Sequence, residues 1–294
     1  MSQRPIGRLR WGPVLMLLAA LSFTCMVACV KVARAELSTF EVVWWRGVVS
    51  VPLCAVWLGR GPWVLRARGL FALRVLFGFT AMAGYYAAAG GLAVANLTLI
   101  GRLQPIVVAV IAPLLLGSDE RVDRRTWLLT ALGVLGCGVL VAPELESGNP
   151  AGLLALVAVG GSAVAHTILR RLGTTEDPRT VVFWFQLCVT AMALAWVSIE
   201  LGHLPELPRA GMLPWLVGVG LCAAMGQNLM TRAYQLDRAA LVSAASHASP
   251  VFAVIIDVLV FSTPPGIEAL VGGALVLTAA LALLFHRPPP PQAQ

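Results

Sequence analysis

A chain of 294 residues that is 59% hydrophobic and only 12% charged, with a mean hydropathy of +0.84, has more apolar surface than a soluble core can enclose, since soluble domains run near ~45–50% apolar and ~25% charged. Its net charge of +7 comes with no basic helix face and no aromatic nucleic-acid motif, which argues against a nucleic-acid partner. The apolar runs are long and rarely alternate, so the fold expected is an all-α integral membrane protein, its helices of ~17–25 residues spanning a hydrocarbon core about 30 Å thick.

In chain order the hydropathy pattern predicts spans at 11–30, 42–58, 69–89, 97–116 and 127–141, then at 151–169, 181–199, 212–230, 239–261 and 267–285. A polar loop with His203, Pro205, Glu206, Pro208 and Arg209 separates the seventh and eighth. Only an apolar, glycine-rich joint separates the third and fourth. Arg8 and Arg10 before the first run, with Ala33-Arg34-Ala35 after it, imitate a secretory signal, but the run is too long and Lys31 lies where a cleavage region is small and neutral. The six cysteines fall inside predicted helices without a Cys-x-x-Cys pair and read as small core residues, with no metal or redox role. Residues 288–294, beginning Pro288 to Pro291, are a disordered tail.

Positively charged loops stay in the cytoplasm. With both termini inside, fifteen Lys and Arg fall in the inner segments, and only Lys31, Arg34 and Arg209 fall outside.

The chain also repeats itself. A shift of 140 carries Gly12, Ser22, Trp44 and Gly133 onto Gly152, Ser162, Trp184 and Gly273. A shift of 142 carries Gly69, Gly78, Ala81 and Gly84 onto Gly211, Gly220, Ala223 and Gly226. A shift of 145 carries Thr98, Pro105 and Val108 onto Ser243, Pro250 and Ala253. Each half holds five spans, an odd number, so the second half enters the membrane upside down. The expectation is ten transmembrane helices as two inverted five-helix repeats, residues 1–146 and 147–287, an arrangement typical of secondary transporters.

The Val43-Trp44-Trp45-Arg46-Gly47 run, the stretch from Ala93 through Pro105 to Gly117-Ser118-Asp119-Glu120, the Leu132-Gly133-Val134-Leu135-Gly136 run and the echo from Ala239 to Val251 together resemble the drug/metabolite transporter superfamily with two EamA-type repeats. The second half departs from that pattern, with Ser262-Thr263-Pro264-Pro265 where the family has Gly-Glu. The resemblance implies a ten-helix carrier, commonly an exporter of amino acids or other metabolites across the bacterial inner membrane.

Ionisable groups inside the membrane cost ~2.5–3.5 kcal/mol each at the bilayer centre on insertion scales and are functional candidates by default. They are Arg46, Arg74, Arg102, His166, His247 and Asp257. Helical spacing places Thr98, Arg102 and Pro105 on one stripe, and Ser243, His247, Pro250 and Asp257 on its repeat mate. Both prolines would break a helix in mid-membrane and release the carbonyls of Gly101 and Ser246, for a ligand or for a neighbouring helix. Tyr85 and Tyr86 match Gln227 and Asn228 at the shift of 142 and suit an organic ligand, although tyrosine also favours interfaces. Trp44 and Trp184 read as interface-belt or packing residues. Arg46 is expected either to pair with Glu41 or snorkel outward, or to join Arg74 and Arg102 in binding a carboxylate or phosphate. Asp257 is the expected gate partner of Arg102, or failing that of Arg46. Proton coupling would run most simply through His166, His247 or Asp257.

The function expected is therefore export of a small carboxylated or zwitterionic metabolite, such as an amino acid, an amino-acid derivative or an opine-like metallophore. Import of a vitamin or nucleoside-like metabolite is the alternative. A lipid-carrier flippase is less favoured, and an intramembrane enzyme finds no His-Glu-x-x-His, Gly-x-Ser-x-Gly or paired aspartates. No catalytic residue, cofactor or ATP-binding loop is expected, so a gradient or a partner must supply the energy. The sequence sets no oligomeric state.

Overall fold

The structure, a computed structural model, describes residues 11–91, 100–101, 103–116, 124–141, 151–262 and positions 267, 270–272, 274–275, 278–279 and 282. Its elements are α1 (Trp11–Ala33), α2 (Thr39–Leu58), α3 (Arg68–Gly91), α4 (Gln104–Leu116), α5 (Arg124–Val141), α6 (Ala151–Leu172), α7 (Pro178–Leu201), α8 (Leu213–Leu236), α9 (Ala239–Ala245) and α10 (Ser249–Phe261). Short 3-10 turns at Ala210–Met212 and Ser246–Ala248 precede α8 and α10. Among the described residues there is no strand, and seven helical stretches are long and apolar enough to cross a membrane. The remaining expected spans fall on the shorter α4 and α5 and on the helical positions after 267. Residues 97–99, with Thr98, and Arg102 lie outside the described residues, as do the side chains of Pro105 and Asp257.

Local signals explain where the helices start and stop. Ser38 caps α2 by accepting the Glu41 N–H, and the Glu41 carboxylate accepts the Ser38 N–H at 2.7 Å, a reciprocal capping box. Asp177 caps α7 just before Pro178, and the neighbouring Arg179 holds its carboxyl below the usual carboxylate range. Gly59 and Gly202 end α2 and α7 at φ +50° and +74°, where a side chain would be strained.

The ninth expected span is broken. Pro250 cannot donate to the carbonyl of Ser246, and that carbonyl accepts instead from the Ser249 hydroxyl at 2.9 Å. The chain answers with the 3-10 turn Ser246–Ala248 between α9 and α10.

Helices pack across the two halves. The broadest contacts join α1 to α8, α3 to α6 and α2 to α7. Exchange the halves, so that α1, α2 and α3 take the places of α6, α7 and α8, and this set maps onto itself. The contact of α4 on α6 likewise maps onto that of α1 with α9 and α10. Small residues permit the closeness: a Cβ on Gly47 would collide with Thr190 of α7, and one on Gly220 with Val49 of α2.

Candidate transport cavity

A cavity of about 230 Å³ lies among α1, α2, α3, α6, α7 and α8, with Gln104, Ser246 and Ser249 also in its lining. Repeat mates line it in pairs. Met26 and His166 correspond at the shift of 140, Tyr85 and Gln227 at 142, and Gly101 with Ser246 and Gln104 with Ser249 at 145. The cavity therefore sits on the relation between the two halves.

Among the described residues, the charge in its lining comes from the first half, through Arg46 and Arg74. Arg46, on α2, is 3% exposed; its Nη2 donates to Gln186 Oε1 at 3.0 Å and its Nη1 faces the Met82 sulfur. Glu41 is held in its capping box, so neither the expected Glu41 pair nor an outward snorkel is present. Arg74, on α3, is 2% exposed and stands over the Phe185 ring at 3.9 Å. Gly78 leaves room for it, since a Cβ there would meet both Arg74 and Phe185. The two guanidiniums, of like charge, line the same cavity. Among the described residues neither has a carboxylate partner, and the Nε of each is buried without an acceptor.

Neutral polar groups complete the lining. The His166 Nδ1 faces the Gln104 amide and lies 3.3 Å from the Tyr234 hydroxyl, and its ring stacks on Tyr234 at 4.9 Å. The Tyr86 hydroxyl donates to the Met26 sulfur at 3.7 Å. Among the described residues the buried acceptor Gln227 Oε1 has no hydrogen-bond partner.

Of the expected site residues, Arg46, Arg74, Tyr85, Tyr86, His166 and Gln227 thus meet in one cavity. Ser243, Asn228, Pro250 and His247 are buried outside its lining, and His247 lies against Gly133, where a Cβ would strike its ring. Sequence reasoning missed Met26, Met82, Gln104, Phe185 and Gln186. The shift of 140 could have found Gln186, since it carries Arg46 there.

Known proteins bear on this arrangement. The model of the EamA-like transporter family matches residues 10–142 and again 149–285. A pseudopaline exporter of Pseudomonas aeruginosa (strain UCBPP-PA14) is 27% identical over 94% of this chain and 96% of its own length. An uncharacterized transporter of Helicobacter pylori (strain ATCC 700392 / 26695) is 25% identical over 92% and 93%, and a riboflavin transporter of Vibrio cholerae is 29% identical over 55% and 53%. A protein of solved crystal structure, 17% identical, superposes with a TM-score of 0.81 over 94% of this chain and 99% of that one, which shows the fold alone. With two matched repeats, membrane-length helices and a cavity lined from both halves, the chain is a multi-pass membrane protein that belongs to the EamA-like transporter family.

Proposed function

We propose that the protein exports a small carboxylated or zwitterionic metabolite across the bacterial inner membrane. In this reading ten helices form two inverted repeats, 1–146 and 147–287, with both termini in the cytoplasm. The self-mapping helix contacts and the mate pairs around the cavity support the repeats, and the loop charges support the orientation.

The observation that carries the substrate class is the pair of buried guanidiniums facing one cavity without a carboxylate among the described residues. A cation in low dielectric favours a counter-charge, and guanidinium binds carboxylates through paired N–H donors. Gln227 Oε1 offers an acceptor suited to a substrate ammonium, which supports a zwitterion. The full-length likeness to a pseudopaline exporter supports export and keeps opine-like metallophores in the class. Likeness to the riboflavin transporter of Vibrio cholerae covers about half of its length and lends import less support.

In this account Arg46, Arg74, Tyr85, Tyr86 and Gln227 hold the substrate and His166 serves proton coupling. Thr98, Arg102 and Asp257 keep their proposed places on the proline-broken helices with Ser243 and His247. Everted inner-membrane vesicles carrying the chain are expected to accumulate a labelled carboxylate or amino acid from a mixed pool. Accumulation only in right-side-out vesicles would favour import instead.

A further inference from the structure

The two ends of the molecule that the repeat makes equivalent differ in this structure. At the end between α2 and α3, the segment 62–67 is fastened to the start of α7 by four hydrogen bonds. Glu176 Oε1, on a side chain only 7% exposed, accepts the N–H groups of Arg66 and Ala67 at 2.8 and 2.6 Å. The Thr180 hydroxyl donates to the Pro62 carbonyl, and the Trp184 indole N–H donates to the Trp63 carbonyl at 2.8 Å. Leu65 packs against the core.

The mates of Glu176, Thr180 and Trp184 at the shift of 140 are Glu36, Phe40 and Trp44. The mate of segment 62–67 at the shift of 142 is 204–209. Here the fastening is absent among the described residues. Glu36 is exposed, and neither its side chain nor that of Trp44 makes a hydrogen bond. Phe40 stacks on Trp196 at 4.8 Å instead. Leu207, which stands where Leu65 packs, is 83% exposed. Below this end α2 and α8 meet through their middles, at Val49 and Gly220.

We propose that segment 204–209 is a gate standing open, and that it closes by docking on the first turns of α2. On closure the Trp44 indole N–H is given to the Pro205 carbonyl, the Glu36 carboxylate accepts the Arg209 N–H, and Leu207 is buried. This rests on the inverted repeat proposed above, and adds that the two gates are unequal. Phe40 has no hydroxyl to match Thr180, and Pro208 has no N–H to match Arg66, so two of the four bonds have no counterpart. The stronger latch at the α2–α3 end sets the resting state, shut there and open at the α7–α8 end.

The test uses the chain with its six cysteines replaced and Ser162→Cys as a reporter inside the cavity, probed with a membrane-impermeant maleimide from either face. Labelling is expected from the α7–α8 face only. Trp184→Phe weakens the shut latch and should raise labelling from the other face about threefold, the effect of one net hydrogen bond on a two-state balance, while labelling from the α7–α8 face, already near its limit, falls only slightly. Glu176→Gln, acting on the same latch through other atoms, should do likewise. Adding Trp44→Phe to either variant should restore the original rates, because both gates are then weakened together. Unchanged labelling in both latch variants, or no recovery on adding Trp44→Phe, would overturn the gate. Leu207→Cys and Arg66→Cys reacting from the same face would overturn the inverted repeat itself, and neither readout depends on which substrate is carried.

Discussion

Arg46 Nη2 donates to Gln186 Oε1 at 3.0 Å, and the two residues stand 140 positions apart, the shift that carries the second helix of one repeat onto that of the other. A residue touches its own repeat mate only where the two halves meet on their shared axis. In the proposed inverted repeat this hydrogen bond lies on that axis, where the two mates are a charged donor and a neutral acceptor.

That divergence predicts opposite responses to two substitutions. Gln186→Leu leaves a buried guanidinium without its acceptor and should cost ~1.5–3 kcal/mol, the range for hydrogen bonds to charged groups. Gln186→Glu supplies a counter-charge and should keep or raise thermal stability, yet impair transport of an anion by neutralising the cavity. Melting of the detergent-solubilised protein, read beside transport, checks both; loss of stability in the Glu variant would contradict the account.

Arg74 lies over the Phe185 ring and presents its fork to the cavity. Arg74→Lys keeps the charge but loses the planar fork, so KM for a carboxylated substrate should rise about tenfold, equivalent to ~1.4 kcal/mol. Arg74→Gln should abolish preference for carboxylates over their amides. Equal handling of both by the native chain would remove Arg74 from recognition.

Gly47 is set by packing. A methyl there would strike Thr190 across the α2–α7 contact, so Gly47→Ala should destabilise by ~1–3 kcal/mol as an overpacked core. Thr190→Ala in the same chain should recover most of that loss in a thermal melt.

Seven of the ten expected spans, those found as membrane-length helices among the described residues, were legible because hydropathy and length are one-dimensional properties, and the spacing of Ser38 and Glu41 suits the capping box. The Tyr85 and Gln227 correspondence also came from the shift. That Gln186 and Phe185 meet the two arginines did not, since which residues of the two halves touch is decided by how the halves dock. His247 shares a stripe with Ser243 and Pro250 only if the helix keeps 3.6 residues per turn. The 3-10 turn that Pro250 imposes rotates this register, sets His247 against Gly133 and gives Ser246 and Ser249 to the cavity. Met26 and His166 occupy one repeat position with such different side chains that nothing in the sequence singled out the pair.

The proposed topology rests on the loop charges and is checked by reporter fusions. Fusions after Arg125, Arg171 and Arg287 should report the cytoplasm, and fusions after Glu146 and Glu206 the opposite side. A C-terminal tail on the far side would defeat the ten-helix count.

The central claim is that an anionic or zwitterionic metabolite leaves the cell through the cavity held by Arg46 and Arg74. Metabolites inside and outside cells are to be compared by mass spectrometry for cells with the native chain, without it, and with Arg74→Gln. One or more carboxylated species should be released with the native chain and retained in the other two. Identical profiles in all three, or release undiminished by Arg74→Gln, would contradict it.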